Sequence, residues 1–398
     1  MTPTSPQLLR LRSSRVLVTG ATGFKGAWLC SWLLDLGADV HALSLAPPTS
    51  PSLFTQAGLA DRVAWMQGDV RDPVVVTSAL TRTRPHVVIH LAAQALVRPS
   101  YVDPIATFGT NVMGTAHLLE AIRTARRACG VVIVSTDKCY QPHSTPTAHR
   151  EGDPLGGHDP YSASKACTEL VTDSYRRSFF PPDQLGQHGI AIASARAGNV
   201  IGPGDHAPER LVPDCIRALE ADCSVALRNP SAVRPWQHVL EPLAGYLELA
   251  GRLHPLAPTS ERVGACGAWN LGPRPEDAVT VRELVTQLMR VWGDGQWTHE
   301  PTAGAPEAPA LRLAIDKALT QLSWRPTWTV QEAVRRTAAG YRRLGHLQSP
   351  DEVADWVALE IASYAADAGL TAPPRPMHLP PPQPHQEASW PTAAAAKG

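Results

Sequence analysis

Tyr161-Ser-Ala-Ser-Lys165 sets a phenol and an ammonium four residues apart, which on a helix is one face. A cation there favours the phenolate and lowers the phenol pKa, making Tyr161 a base for a sugar hydroxyl. The pair alone is a weak signal. It gains weight from the run Val131-Val-Ile-Val-Ser-Thr-Asp-Lys138, an apolar strand ending in polar residues where a parallel sheet presents substrate. The third signal is Arg15-Val-Leu-Val-Thr-Gly-Ala-Thr-Gly-Phe-Lys-Gly-Ala-Trp-Leu29. It holds Gly20, Gly23 and Gly26 in GxxGxxG spacing between a strand and a helix. Such glycines let backbone N–H groups approach a pyrophosphate, and the helix N-terminus adds partial positive charge.

The bound dinucleotide is left open by these residues. An acid that would hold the adenosine ribose is missing after the second strand, where Leu43-Ser44-Leu45 stands, and no arginine for a 2′-phosphate replaces it. Asp69, in Gly68-Asp69-Val70-Arg71-Asp72, follows the third strand and is placed to accept from an adenine amino group.

The elements that must position these groups alternate. Strands are expected at Arg15–Val18, Asp39–Ser44, Val63–Gln67, Val87–Leu91, Val131–Ser135 and Ile190–Arg196. Helices are expected at Gly26–Leu36, Pro73–Thr83, Asn111–Ala128 and Ser162–Phe179. Alternation of apolar strands with helices predicts an α/β fold, a doubly wound parallel Rossmann-type sheet covered on both faces. The divisions expected are a leader over 1–14 and a dinucleotide-binding domain over 15–202, to which later segments return. A smaller mixed C-terminal substrate-binding lobe over 203–345, one helix over 346–366 and a proline-rich disordered tail over 367–398 follow.

With these motifs the chain resembles the extended short-chain dehydrogenase/reductase family, and within it the CDP-glucose 4,6-dehydratase branch. The resemblance rests on Thr19–Gly26, Phe24-Lys25-Gly26, Leu91-Ala92-Ala93-Gln94, Asn111, Thr136-Asp-Lys-Cys-Tyr140, Asp159-Pro-Tyr-Ser162, Arg196-Ala-Gly-Asn-Val-Ile-Gly202 and Arg228-Asn-Pro…Arg234-Pro-Trp-Gln-His238. It runs from about Arg15 to about Tyr341. Lys138 points to the cytidine branch, since the thymidine-nucleotide dehydratases resembled have glutamate there. Ala21 departs from the pattern, where His or Asn is expected.

The resemblance implies NAD as a cofactor retained through the reaction, held by Gly20, Gly23, Phe24, Gly26, Asp69, Val70, Leu91, Ala92, Ala93, Gln94, Asn111, Tyr161 and Lys165. It implies catalysis by Thr136, Asp137, Lys138, Tyr161 and Lys165. Tyr161 takes the sugar 4-hydroxyl proton, Thr136 bonds the 4-oxygen and Asp137 protonates the departing 6-hydroxyl. Lys138 acts either as the C5 base, if burial or neighbouring cations keep it neutral, or as a charged stabiliser of the enolate. Arg234 suits the substrate's diphosphate, with Asn199, Arg228, Trp236 and His238 in support. A homodimer through the helices at Asn111–Ala128 and Ser162–Phe179, or a higher homo-oligomer, is also implied.

Two other readings share parts of the pattern. A nucleotide-sugar 4-epimerase needs the glycine turn and the Tyr161–Lys165 pair, but not an acid for the 6-hydroxyl. A non-catalytic dinucleotide-binding regulator needs neither Tyr161 nor Asp137. Lys plus Arg and Asp plus Glu are 36 each, so no charge excess points to nucleic acid or a membrane surface. Seven cysteines without a CxxC pair argue against a disulfide framework or zinc site, and no apolar run suits a membrane span; a cytoplasmic location is expected.

Overall fold

The computed structural model describes residues 5–142, 147–300 and 311–370. Its centre is a seven-stranded sheet. Six strands are β1 (Arg15–Thr19), β2 (Asp39–Ser44), β3 (Ala64–Gln67), β4 (Val87–His90), β5 (Cys129–Thr136) and β6 (Ile190–Ala197). The seventh is Gly267–Leu271. Their order across the sheet is seventh, β6, β5, β4, β1, β2, β3, and every pairing is parallel. The order reverses between β1 and β4, so the crevice for a ligand opens at the carboxyl ends of those two strands.

Successive side chains explain why the sheet is covered on both faces. Val16, Val18, Val87, Ile89, Val132 and Val134 enter one core, while Leu17, Val88, Val131 and Ile133 enter the other. The helix Leu240–Leu253 lies in the first core, buried at nearly every position, and packs on β4, β5 and β6. Being buried all round, with Glu241 and Glu248 among its buried residues, it has no exposed stripe to mark it from its periodicity. This helix and the seventh strand bring part of 203–345 back into the main body. A separate core, with Val212, Ile216, Leu284, Leu288 and Val334, holds the mixed lobe together. The lobe's Val281–Trp292 helix starts at a reciprocal cap between Thr280 and Glu283.

Each end of the described residues carries a helix, one inside the expected leader and one at the helix expected over 346–366. Pro6–Leu11 is a helix packed on Leu240–Leu253, with Leu8 and Leu11 buried. Pro350–Asp367, N-capped by Ser349, packs on the Phe24–Asp35 helix through Trp32 against Tyr364 and Trp28 against Trp356. Most of the expected tail, 371–398, lies outside the described residues.

Candidate active site

The glycine turn is built by close approach. Gly20 has φ of 73°, and a Cβ there would lie 2.7 Å from the Ala92 backbone nitrogen. A Cβ at Gly26 would lie 2.2 Å from the Gly20 carbonyl oxygen. The helix Phe24–Asp35 therefore begins directly above the end of β1. Its N-cap is Gly23, which supplies no side chain to the first-turn N–H groups. A set of uncapped donors at a ligand crevice fits a dinucleotide pyrophosphate.

The next strand's loop is tied to this turn. Thr19 Oγ1 accepts from Ala92 N at 3.2 Å and meets His90 Nδ1 at 2.7 Å. His90 Nε2 reaches Thr115 Oγ1 at 3.2 Å, and that hydroxyl donates to the Asn111 carbonyl at 2.7 Å. Burial, with the Lys165 charge in addition, pushes His90 down to about 3, so it serves this chain neutral. Asn111 sits in a π turn, Gly109–Met113. Its Oδ1 accepts from Gln94 N, and its Nδ2 donates to Gln94 O and to Ser164 Oγ. Asn111 thus fastens the 91–94 loop to the helix carrying Tyr161. Leu91, Ala92, Ala93 and Gln94 remain partly exposed above β4.

Asp69 is engaged within its own turn. Its carboxylate accepts from Arg71 N, Nε and NH2 at 2.9, 2.8 and 2.6 Å. Partial burial opposes ionisation, but these bonds and the Arg71 charge hold the carboxyl below its ordinary range. Val70 is buried against Gly114.

Tyr161 is placed by helix capping. Asp159 accepts from Ser162 N and Ser162 Oγ, Pro160 starts the Pro160–Ser178 helix, and Tyr161 N donates to Ser100 Oγ at 3.1 Å. Opposite it, β5 ends at Thr136 and turns tightly through Asp137–Cys139. Thr136 Oγ1 donates to Asp137 Oδ1 at 3.0 Å and lies in hydrogen-bond reach of the Tyr161 phenol. Asp137 is 2% exposed and its Oδ2 has no partner among the described residues. Burial raises its carboxyl pKa, against the pull of Lys138, Thr136, Arg234 and Lys25. Lys138 is half-buried.

One expectation is corrected here. Lys165 shares the helix face with Tyr161, but its Nζ donates to the Val134 carbonyl at 3.1 Å. The phenol is raised, to about 12, because burial outweighs the Thr136 hydrogen bond and the Arg210 charge, and Asp137 adds to the rise. Burial lowers Lys165 to about 8, with Glu169 one turn away opposing it. Behind this centre Glu169 is paired with Arg196 at 2.8 Å, and Arg196 donates to the Tyr140 hydroxyl.

The residues expected at the substrate fall into different settings. Arg234 is buried, and its charge favours the ionised form of Asp137. Asn199 is half-buried in the crossing to the lobe, and Arg228 is exposed. Trp236 is a member of the lobe core. His238 is in the aromatic core, edge-on to Trp28 and to Trp328 at 6.3 and 4.9 Å between ring centroids. Its burial holds it neutral, at about 3. Two further side chains were missed. Lys25 lies in the electrostatic reach of Asp137 and Lys165, and Arg210, paired with Asp205 at 3.0 Å, lies in that of Tyr161. Lys25 is inside the quoted Phe24-Lys25-Gly26 motif; Arg210 carries no local signal.

Residues 17–337 match the family described as GDP-mannose 4,6 dehydratase. The chain belongs to this dehydratase family. Among its relatives, the CDP-glucose 4,6-dehydratase of Salmonella typhimurium is 46% identical over 326 residues, covering 82% of this chain and 89% of that protein. The dTDP-glucose 4,6-dehydratase of Streptomyces antibioticus is 31% identical over 373 residues, covering 90% and 98%. In three dimensions this dehydratase-family chain is similar to the dTDP-glucose 4,6-dehydratase of Streptomyces venezuelae with NAD bound. There the TM-score is 0.70 at 26% identity, over 83% of this chain and 97% of the other. The UDP-glucose 4-epimerase of Thermus thermophilus in complex with NAD gives 0.70 at 27%, over 84% and 100%.

Proposed function

We propose that the chain is a CDP-glucose 4,6-dehydratase, converting CDP-glucose to CDP-4-keto-6-deoxyglucose and water. The observation that carries this reading is a buried acid, Asp137, beside the Tyr161 phenol at the end of β5. An epimerase has no use for that acid, and the Salmonella relative supports the cytidine substrate. NAD fits the uncapped helix start at Gly23 and the turn closed by Gly20 and Gly26, with the Asp69 turn beyond β3 on the adenosine side. The chemistry NAD supplies when bound is acceptance of hydride from sugar C4 and its return to C6.

The chain's own residues move the protons. Tyr161 receives the 4-hydroxyl proton. With its phenol high in the free protein, the phenolate draws on the cations around it, of which Arg210 opposes the rise. Thr136 donates to the 4-oxygen. The 4-ketone acidifies the C5 hydrogen. Lys138 takes that proton, or stabilises the enolate while another base takes it. Asp137 gives its proton to the 6-hydroxyl, which leaves as water, and a proton returns to C5 as hydride reaches C6. Burial keeps that proton on Asp137 to higher pH than an ordinary carboxyl would. Arg234 balances the diphosphate.

The same reading includes a homodimer in the cytoplasm. Leu118, Leu119 and Ile122, on the first of the two helices expected at the dimer face, fill the chain's own core. Exposed apolar residues on these and adjoining elements include Tyr101, Val102, Ile105, Met113 and Leu170. Seven free thiols suit a reducing compartment, and no helix of the described residues is long and apolar enough to cross a membrane.

The test is incubation with CDP-glucose, followed by the alkaline absorbance of a 4-keto sugar. Accumulation of that product is expected, with CDP-glucose preferred over the dTDP and UDP analogues. Interconversion of glucose and galactose epimers without loss of the 6-hydroxyl would overturn the assignment.

A further inference from the structure

The pairing of β5 with β6 runs to Thr136 opposite Ala197, so the turn Asp137–Cys139 lies beyond the ladder. Its far end is held by Tyr140. The Tyr140 backbone bridges to Leu155, with Gly156 N donating to Cys139 O and Gln141 N to Pro154 O, both at 2.9 Å. The buried phenol is engaged on both sides: its hydroxyl donates to Asn270 Oδ1 at 2.6 Å and accepts from Arg196 NH1 at 2.8 Å. Asn270, on the seventh strand, directs its amide N–H groups to His149 O and Ala314 O at 2.9 and 3.2 Å, which aims Oδ1 at the phenol. Arg196 stands on β6 opposite Ser135 and Asn270. Its NH2 meets Glu169 Oε2 at 2.8 Å, and the Ser194 hydroxyl donates to the same oxygen at 2.7 Å. Glu169 is about two turns beyond Tyr161 on the Pro160–Ser178 helix. A buried chain of Glu169, Arg196, Tyr140 and Asn270 therefore joins the helix that carries Tyr161 to the turn that carries Asp137 and Lys138.

We propose that Tyr140 is a positioning residue for the elimination step: its hydroxyl, gripped by Arg196 and Asn270, fixes the Asp137–Cys139 turn so that Asp137 meets the departing 6-hydroxyl. The proposal rests on the dehydratase reading. In that step a base removes the C5 proton and the electron pair left behind forms the second C5–C6 bond. The C6–O pair leaves with the oxygen, which the Asp137 proton joins to make water. Proton transfer requires donor and acceptor within hydrogen-bond reach, so a small displacement of the turn slows this step. Oxidation at C4 depends instead on Tyr161, which Asp159, Pro160 and Ser100 place without Tyr140. Thr136, the partner of the 4-oxygen, is still inside the ladder. Loss of the Tyr140 hydroxyl therefore acts on elimination and spares the first hydride transfer.

The experiment compares Tyr140→Phe with the wild-type holoenzyme supplied with CDP-glucose, following 4-keto product and the fraction of bound cofactor that is reduced. KM, NAD content and Tm are measured in parallel. Tyr140→Phe keeps the ring that stacks on His149 at 4.6 Å and lies under Arg196, and removes only the hydroxyl. In this variant kcat should fall by about tenfold to a hundredfold, with KM and NAD content held, and reduced cofactor should rise above the wild-type level. Tyr364→Phe is the control. It strips another buried hydroxyl, 2.7 Å from Glu241, and should lower Tm without raising reduced cofactor. Reduced cofactor that does not rise in Tyr140→Phe, or rises equally in Tyr364→Phe, overturns the proposal. So does a fall in kcat matched by a loss of NAD. Should Tyr140→Phe not fold, Asn270→Ala removes the acceptor and leaves the Arg196 bond, with the same expected outcome. Wild-type protein that forms no 4-keto product overturns the dehydratase reading and this role with it; active wild-type protein with no rise in the variant overturns only the role of Tyr140.

Discussion

Tyr161 and Asp137 are both buried, and burial favours the neutral form of each. For an acid that must hold a proton until its leaving group departs, this is useful. For a base it is a handicap that nearby cations must offset. Tyr161→Phe removes only the phenol oxygen, so turnover should fall by about 10²–10⁴-fold while NAD stays bound. Single-turnover kinetics together with the cofactor content of the purified variant check this, and near-wild-type turnover would remove Tyr161 from the chemistry. In the proposed reaction Lys138 acts one step later. Lys138→Ala should permit the first hydride transfer and stall elimination, seen as a build-up of reduced-cofactor absorbance with CDP-glucose. Lys138→Arg separates the two roles, because a guanidinium stays protonated. Wild-type-like activity in Lys138→Arg excludes Lys138 as base and leaves it as a charge stabiliser.

Between single residues and the whole molecule stand the elements that hold the site, and Asn111 joins three of them. The π turn at Gly109–Met113 leaves its carbonyl to the Thr115 and Thr168 hydroxyls, and its amide spans the 91–94 loop and Ser164. Asn111→Ala strips the partners from the Gln94 backbone and from Ser164 Oγ. A loss of about 1–3 kcal/mol in denaturant unfolding is expected, together with lower kcat as the Tyr161 helix and the loop above β4 lose register. Unchanged stability would mean that water replaces the amide without penalty.

At the scale of the molecule, Glu241 ties the Pro350–Asp367 helix and the 327–328 segment to the Leu240–Leu253 helix. Its carboxyl oxygens accept from Thr327 N, Trp328 N and the Tyr364 hydroxyl, the last on the Pro350–Asp367 helix. Burial raises Glu241 from 4.5 to about 7, although the hydrogen bonds oppose the rise. Between these two values the folded chain holds a proton that the unfolded chain has released, so stability falls as pH climbs through this window. Glu241→Gln mimics the protonated acid, and its Tm should vary less across that range than the wild-type Tm. Equal slopes would show that Glu241 does not titrate there. The exposed apolar set belongs to the same scale. Ile105, 80% exposed, should become buried in the dimer, and Ile105→Glu should convert a dimeric mass to a monomeric one in sedimentation. Wild-type protein that is already monomeric at micromolar concentration would refute the dimer.

What the residues alone determined was whatever is written within about ten positions. The glycine turn, the Tyr161–Lys165 face, the Thr136–Lys138 strand end and the Pro350–Asp367 helix could all be read that way. Sterics at a turn, periodicity along a helix and chemistry at a cap are local, so a short stretch contains the information. The alternating strands likewise announced the parallel sheet, but not that Gly267–Leu271 joins β6 at its edge, since that strand arrives after a long excursion through the lobe. Tertiary structure alone decided the rest. It turned Lys165 toward Val134, placed Trp236 and His238 in cores, and brought Lys25 and Arg210 into the electrostatic surroundings of Asp137 and Tyr161. The charge state and reach of a side chain depend on burial and on partners from distant segments, and those exist only once the chain has packed.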